Sequence, residues 1–213
     1  MHFNICRIQT YYTTSRAFKR CWSFFVLDTA FHSTMLPAAY HYAIPYNLYE
    51  ELGIRKYGFH GTSYQYLLQQ SLTILEKPQS DVNIVALHLG ARASMAAIKN
   101  GDNDPTIIQM LASEKGMNVD VVINILNKKN MLFGLCGKKD MRYVWNSTEA
   151  GNARHKLALQ VYVHWICSYL GAYYFHLQEN LDALVFSTGI GEGAGQTRAR
   201  ICEGLEKFGI EVD

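Results

Sequence analysis

The run Arg55-Lys56-Tyr57-Gly58-Phe59-His60-Gly61-Thr62-Ser63 sets an imidazole between two glycines, directly ahead of a stretch of helical composition from Tyr64 to Lys77. Gly58 and Gly61 permit backbone angles that side chains forbid, and Thr62 and Ser63 are residue types that cap helix N-termini. His60 therefore stands at or just before a helix start. Free N–H groups and the partial positive charge there favour an anion, and an imidazole can add a donor to a phosphate or carboxylate oxygen. The plainer reading is a hydrogen-bonded loop histidine, and spacing alone leaves both open.

A second candidate is Gly189-Ile190-Gly191-Glu192-Gly193-Ala194-Gly195, which follows a strand-like run, Asp182 to Ser187, and precedes a helical one, Gln196 to Phe208, closed by Gly209. Strand, glycine loop and helix in that order make a phosphate-facing turn. The loop also fits the dinucleotide fingerprint if Ala194 stands for its last glycine, with Glu211 about 20 residues on. No Lys-Ser or Lys-Thr pair closes it, so it is not a Walker loop. Asp28 ends an apolar run, Trp22 to Leu27, that reads as a buried strand, and strand ends are where α/β proteins place ligand-contacting side chains. An Asp opening a turn is equally an ordinary cap.

The elements that must position these residues follow from pattern. Tyr46 to Leu52 reads as a short helix stopped by Gly53. Asn83 to Leu87 and Ala93 to Lys99 read as strands joined in a tight corner by His88-Leu89-Gly90-Ala91-Arg92, where Gly90 lets backbone N–H groups approach a ligand. Helices are expected over Pro105–Lys115 and Val119–Asn127, with Asp104 and Asn118 as caps, and a Gly- and Lys-rich loop over Leu132–Met141. From Asn152 to Leu177, apolar residues at Leu157, Val161, Ile166, Leu170 and Tyr173 recur at near-helical spacing and predict a long buried helix.

Totals narrow the class. The chain has 213 residues, 49% of them hydrophobic, enough for a sizeable core in one large domain or two small ones. A net charge of +2 with 18% charged residues forms no polybasic stripe, which argues against nucleic acid. Five scattered cysteines, Cys6, Cys21, Cys136, Cys167 and Cys202, contain no Cys-x-x-Cys pair and suit buried thiols in a reducing compartment. The longest apolar stretch, Val161 to Phe175, is broken by His164 and too short for a bilayer, so a soluble protein without a membrane partner is expected. Residues 1–21 carry Arg7, Arg16, Lys19 and Arg20 and no acidic residue, a basic segment set apart from the rest.

Between Phe25 and Asp213 the chain resembles the acetate and propionate kinase family. The resemblance is carried, in consistent order, by VLDTAFHSTM, AIPYNLYEELGIRKYGFHGTS, HLGARAS, GDNDPTII, INILNKK, DMR, EAGNARHKLAL, YLGAY, STGIGEGAG and ICEGLEKFGIEVD. It implies an α/β fold, an incomplete ribonuclease-H-like domain of the acetate and sugar kinase/actin superfamily. Residues 22–213 would be mostly the second, nucleotide-binding domain, with 1–21 unmatched. The implied reaction moves the γ-phosphoryl of ATP to acetate, giving acetyl phosphate and ADP. Asp28 matches the family's catalytic carboxylate, His60 the histidine that stabilises the transferring group, and Phe59 the side chain against the acetate methyl. His88, Leu89, Gly90, Ala91 and Arg92 match one nucleotide segment. Asp140, Met141 and Arg142 match a second, and Gly189, Ile190, Gly191, Glu192 and Gly193 a third. Acetate or propionate and ATP/ADP are the implied ligands, with Mg2+ used by the family, a homodimer its usual assembly and the cytoplasm the expected location.

The resemblance also has departures. The family's HLGNG reads His88-Leu89-Gly90-Ala91-Arg92 here, Tyr64 replaces a second histidine, Lys138 and Lys139 replace small residues, and Gly193 replaces an asparagine. Between Asn100 and Gly101 the family carries a longer segment ending in GTRSGD. Its first domain and C-terminal segment, with further phosphate and metal contacts, have no counterpart in these residues. No metal ligand is assigned. Two alternatives accompany the kinase reading: a catalytically inactive fragment that keeps weak nucleotide binding, and a Rossmann-type NAD-dependent oxidoreductase resting on the glycine loop alone.

Overall fold

The computed structural model describes residues 27–90, 93–100, 102–104, 131–178 and 180–211. The basic segment 1–21, all but Leu27 of the strand expected over Trp22–Leu27, the helices expected over 105–115 and 119–127, and Ala91 and Arg92 lie outside the described residues, and Leu27 itself is not in a strand.

Among the described residues three α-helices precede the sheet: α1 (Pro37–Tyr40), α2 (Asn47–Leu52) and α3 (Gly61–Leu75). The strands β1 (Ile84–Leu89), β2 (Ala93–Lys99) and β3 (Asp102–Asp104) follow, then α4 (Met131–Cys136), α5 (Met141–Glu149) and α6 (Ala153–His176). The chain returns to the sheet as β4 (Ala183–Ser187) and runs on into α7 (Thr188–Gly193) and α8 (Gly195–Cys202).

The sheet order is β3-β2-β1-β4. β1 and β2 pair antiparallel with Leu89 opposite Ala93, the hairpin expected from sequence, and β4 lies parallel to β1 with His88 opposite Ser187. Neither IVALHL nor ASMAAIK alternates with polar residues, because both faces of this strand pair are covered. Val85, Leu87, Leu89, Ala93, Met95 and Ala97 face one core with α6 residues Tyr162, Ile166, Leu170 and Tyr173. The alternate residues Ile84, Ala86, Ala96 and Ile98 face Tyr64 and Leu68 of α3. The two-residue period of a strand divides the molecule into these layers.

Several boundaries differ from the sequence reading. The α3 helix starts at Gly61 with His60 as its cap, so Thr62 and Ser63 lie inside its first turn. Within the loop expected over Leu132–Met141, α4 reaches Cys136 with Leu132 fully buried. The inward seam of α6 runs through His155, Ala158, Leu159, Tyr162, Ile166, Leu170 and Tyr173, while Leu157 is exposed and Val161 half-buried. Those two residues lie off the stripe that a 3.6-residue period draws through Ile166.

The glycine loop expected over 188–195 is largely helical. Thr188 N–H donates to Glu192 Oε1 at 2.8 Å, and Arg198 Nη1 donates to Gly191 O and Glu192 O at 2.8 and 2.6 Å. A carboxylate near the first turn and a guanidinium on the last carbonyls stabilise a short helix despite its glycines. The following helix ends at Cys202, where Gly204 turns left-handed at φ 81, and a separate 3-10 turn, Leu205–Phe208, leads to Gly209. Gly53 caps α2 at φ 66, as expected. Cys136 and Cys202 are buried and Cys167 half-buried, all three as free thiols. No helix among the described residues is long and apolar enough to cross a membrane.

Candidate active site

Asp28 stands in the turn that leads into a 3-10 segment, Ala30–His32, and binds the start of α3 twice. Its Oδ2 accepts from His60 N–H at 2.8 Å and its backbone carbonyl accepts from Gly61 N–H at 2.9 Å. Gly61 has no alternative here, since a Cβ would sit 2.2 Å from Asp28 O. His60 itself is left-handed at φ 57, a region unfavourable for any residue with a side chain and tolerated where surrounding bonds impose it. The histidine is thereby fixed as the helix cap and its ring is turned out of the helix.

That ring meets His88 from the C-terminal end of β1. The imidazoles stack with centroids 4.3 Å apart and planes within 15°. His88 Nδ1 is 3.2 Å from Ser63 Oγ, and the Tyr64 ring approaches His88 edge-on. Beneath them Tyr64 Oη and Ser94 Oγ share a buried hydrogen bond of 2.6 Å, tying α3 to β2. Burial holds His88 below the ordinary imidazole value; the charge of His60 acts the same way and Asp28 opposes it. At neutral pH the His88 ring is therefore uncharged and carries one ring N–H. Phe59, the next residue back, is 53% exposed beside the His60 cap.

The nucleotide segments expected from the resemblance fall into two groups. Leu89 and Gly191 are neighbours: a Cβ on Gly191 would lie 3.6 Å from Leu89 Cβ and 3.4 Å from the Phe186 carbonyl carbon, so α7 sits directly on the ends of β1 and β4. Gly90 O accepts from Tyr162 Oη at 3.0 Å, which anchors the hairpin end to α6. Gly189 and Gly193 are exposed, whereas Ile190 and Gly191 are buried. Asp28, His60 and His88 thus form one cluster, and His88 to Gly90 join it to Gly189–Gly193.

Asp140, Met141 and Arg142 stand apart. Asp140 caps α5 by accepting from Arg142 N–H at 3.0 Å, and both guanidinium bonds of Arg142 return to the same carboxylate. That pairing holds Asp140 below the usual carboxylate range. Met141 is buried in the core, and no hydrogen bond among the described residues joins this segment to the His60 turn. Its nearest tie to the others is Trp145 Nε1, one turn on, donating to Thr197 Oγ1 of α8 at 2.9 Å.

Sequence reasoning gave no site role to His32, Ser94 or Arg198 and read Ser63 only as a helix-cap type, yet all four join the hydrogen bonding around the site. Among the described residues no group of three or more His, Cys, Asp or Glu side chains gathers as metal ligands. Mg2+ in phosphoryl-transfer sites is held by few carboxylates together with substrate phosphates and water, and these residues do not themselves build a protein cage for it.

The sequence profile of the Acetokinase family matches residues 2–103 and 100–213. An acetate kinase of Oleidesulfovibrio alaskensis is 41% identical over 88% of this chain and 52% of its own length. The crystal structure of Porphyromonas gingivalis acetate kinase superposes with a TM-score of 0.81 at 33% identity, covering 88% of this chain and 53% of that one. A propionate kinase from Francisella tularensis superposes at 0.86 with 32% identity over 97% of this chain and 59% of its own. The chain spans about half the length of the curated relatives it matches. The α/β architecture is that of acetate and propionate kinases, of the acetate and sugar kinase/actin-like fold, and the chain belongs to the acetokinase family.

Proposed function

We propose that the His60 turn serves transfer of the γ-phosphoryl group of ATP to a short carboxylate, acetate or propionate. The observation that carries this reading is the joining of Asp28, His60 and His88 at the end of a β-strand, with an exposed Phe59 alongside. An acceptor carboxylate oxygen forms the new O–P bond while the bond from the γ-phosphorus to the β,γ-bridging oxygen breaks, and ADP leaves with that electron pair. Such a transfer passes through a loose transition state whose charge spreads over the moving oxygens, so alignment and N–H donors matter more than covalent chemistry.

In this reading His60 donates to the transferring group from its stacked position and Phe59 receives the alkyl end of the acceptor. Asp28 is the catalytic carboxylate of this reading, and it also holds the His60 and Gly61 amides. His88, Leu89 and Gly90 form one part of the nucleotide site, Gly189–Gly193 another and Asp140–Arg142 a third, while Ala91 and Arg92 belong to it by resemblance alone. One methylene in an apolar pocket is worth only about 1–3 kcal/mol, so the acceptor is written as acetate or propionate. Mg2+ would arrive with the nucleotide, and no step is assigned to it.

A hydroxamate assay with ATP, Mg2+ and acetate reads the transfer directly. Acetyl phosphate formation is expected to fall about 10²- to 10³-fold in His60→Ala, the size of losing one transition-state donor, and to fall in Asp28→Asn as well. Output unaffected by both substitutions, or none from the unsubstituted chain, overturns the assignment.

A further inference from the structure

His32 belongs to no part of the reaction described so far, yet it is 1% exposed and lies directly beneath the His60 turn. Its Nε2 donates to Phe59 O at 2.8 Å. The carbonyl of Phe59 and the N–H of His60 are the two poles of one peptide bond, and that N–H is the group held by Asp28 Oδ2. One peptide is therefore gripped from both sides, by residues four apart on the same short turn. Gly58 fits the arrangement closely: it is left-handed at φ 75, and a Cβ there would lie 2.2 Å from His32 Cγ and Cδ2. Phe31 and Tyr64 close on the ring edge-on at 5.8 and 6.0 Å.

We propose that His32 is a positioning residue of this site: with Asp28 it clamps the Phe59–His60 peptide at both poles and so fixes where the His60 imidazole stands. A peptide plane held at one end can swing about its flanking bonds, whereas one held at both ends cannot without breaking a hydrogen bond. This matters because His60 sits in a left-handed conformation that its own side chain disfavours. Burial keeps the His32 ring neutral, against the opposing pull of the Phe59 bond and of Asp28. A carbonyl only accepts, so the proton of the neutral ring is on Nε2. The value of the clamp to catalysis rests on the phosphoryl-transfer reading; the clamp itself does not.

The test uses the full chain labelled with ¹⁵N. His32→Gln can return an N–H donor to the Nε2 position, while His32→Phe fills the volume without one. Hydrogen exchange at the His60 and Gly61 amides is expected to quicken about tenfold in His32→Phe, the scale of one lost hydrogen bond, with the Val85 and Leu87 amides of β1 unchanged. His32→Gln is expected to keep the slow rates. Gly58→Ala offers a second route should His32→Phe fail to fold, because its methyl displaces the His32 ring, and the same two amides are expected to open. Unchanged exchange in His32→Phe or in Gly58→Ala, or equal opening in His32→Gln and His32→Phe, overturns the clamp. Hydroxamate output insensitive to His60→Ala would instead remove the phosphoryl-transfer reading and leave the amide result standing.

Discussion

Two histidines in and under the site are held below their ordinary value, and this has a defined consequence for stability. Burial is the leading cause for both His32 and His88; the charge of His60 acts in the same direction, and Asp28 opposes. The unfolded chain takes up these protons near pH 6.5, whereas the folded chain does so only at lower pH. Below about pH 6.5 the unfolded state therefore binds more protons, and stability falls as pH drops towards the folded values; above about pH 7 neither group contributes a slope. The urea midpoint is expected to decline between pH 7 and pH 5, and to decline less in His32→Gln and in His88→Gln. A midpoint that is flat or rises on acidification, or variants with the parent's slope, would contradict this account. At this scale the sequence was only partly legible. Asp28 and His60 stood out because each sits at a recognisable boundary, and His88 because it borders a hairpin corner. His32 did not, because a buried imidazole that binds a backbone carbonyl leaves no mark in composition or spacing.

Elements were more legible where one period dominates. The hairpin and the long helix were expected within a residue or two, since β1 and β2 are mostly apolar and α6 opens on Asn152, whose Oδ1 accepts from Arg154 and His155 N–H. The glycine-rich stretches misled in the opposite direction. Composition makes 132–141 and 188–195 loops, yet tertiary partners override it: Leu132 is drawn into the core against α6, and α7 is closed by Glu192 and Arg198. The seam of α6 also carries polar information that an apolar count omits. Tyr162 Oη donates to Gly90 O at 3.0 Å and Tyr173 Oη to Met95 O at 3.2 Å, so one helix anchors both the end and the middle of the hairpin. Tyr162 is 1% exposed, and its phenol is pushed well above its usual range by burial, so it remains a donor throughout the working pH. Tyr162→Phe keeps the ring and removes this one bond. A loss of about 1 kcal/mol in urea unfolding is expected, the usual net worth of a single hydrogen bond. A variant as stable as the parent would mean that Gly90 O finds equivalent solvation without the phenol.

Across the whole molecule, the parallel pairing of β1 and β4 decides where function can gather. Parallel strands end on the same side, and in open α/β sheets ligands meet the carboxyl ends of strands. His88 at the end of β1 lies opposite Ser187 at the end of β4, so the His60–His88 stack and the Gly189–Gly193 segment are delivered to one edge by topology alone. The join between them is Gly191. An added Cβ there would rest in ordinary contact, 3.4 Å from the Phe186 carbonyl carbon, 3.6 Å from Leu89 Cβ and 3.7 Å from Leu87 O. A single methyl therefore fits, but the two further methyls of valine enter space already bordered by both strand ends, and overpacking of this kind costs about 1–3 kcal/mol. If these strand ends hold an adenine nucleotide, the strain is felt as lost affinity. Titration calorimetry is expected to show ADP binding retained in Gly191→Ala and weakened about tenfold or more in Gly191→Val, since each 1.4 kcal/mol is a factor of ten. A circular dichroism spectrum showing Gly191→Val still folded at the titration temperature would assign the loss to the site rather than to unfolding. The nucleotide reading fails if NAD⁺ binds better than ADP, or if valine at this position leaves ADP binding unchanged.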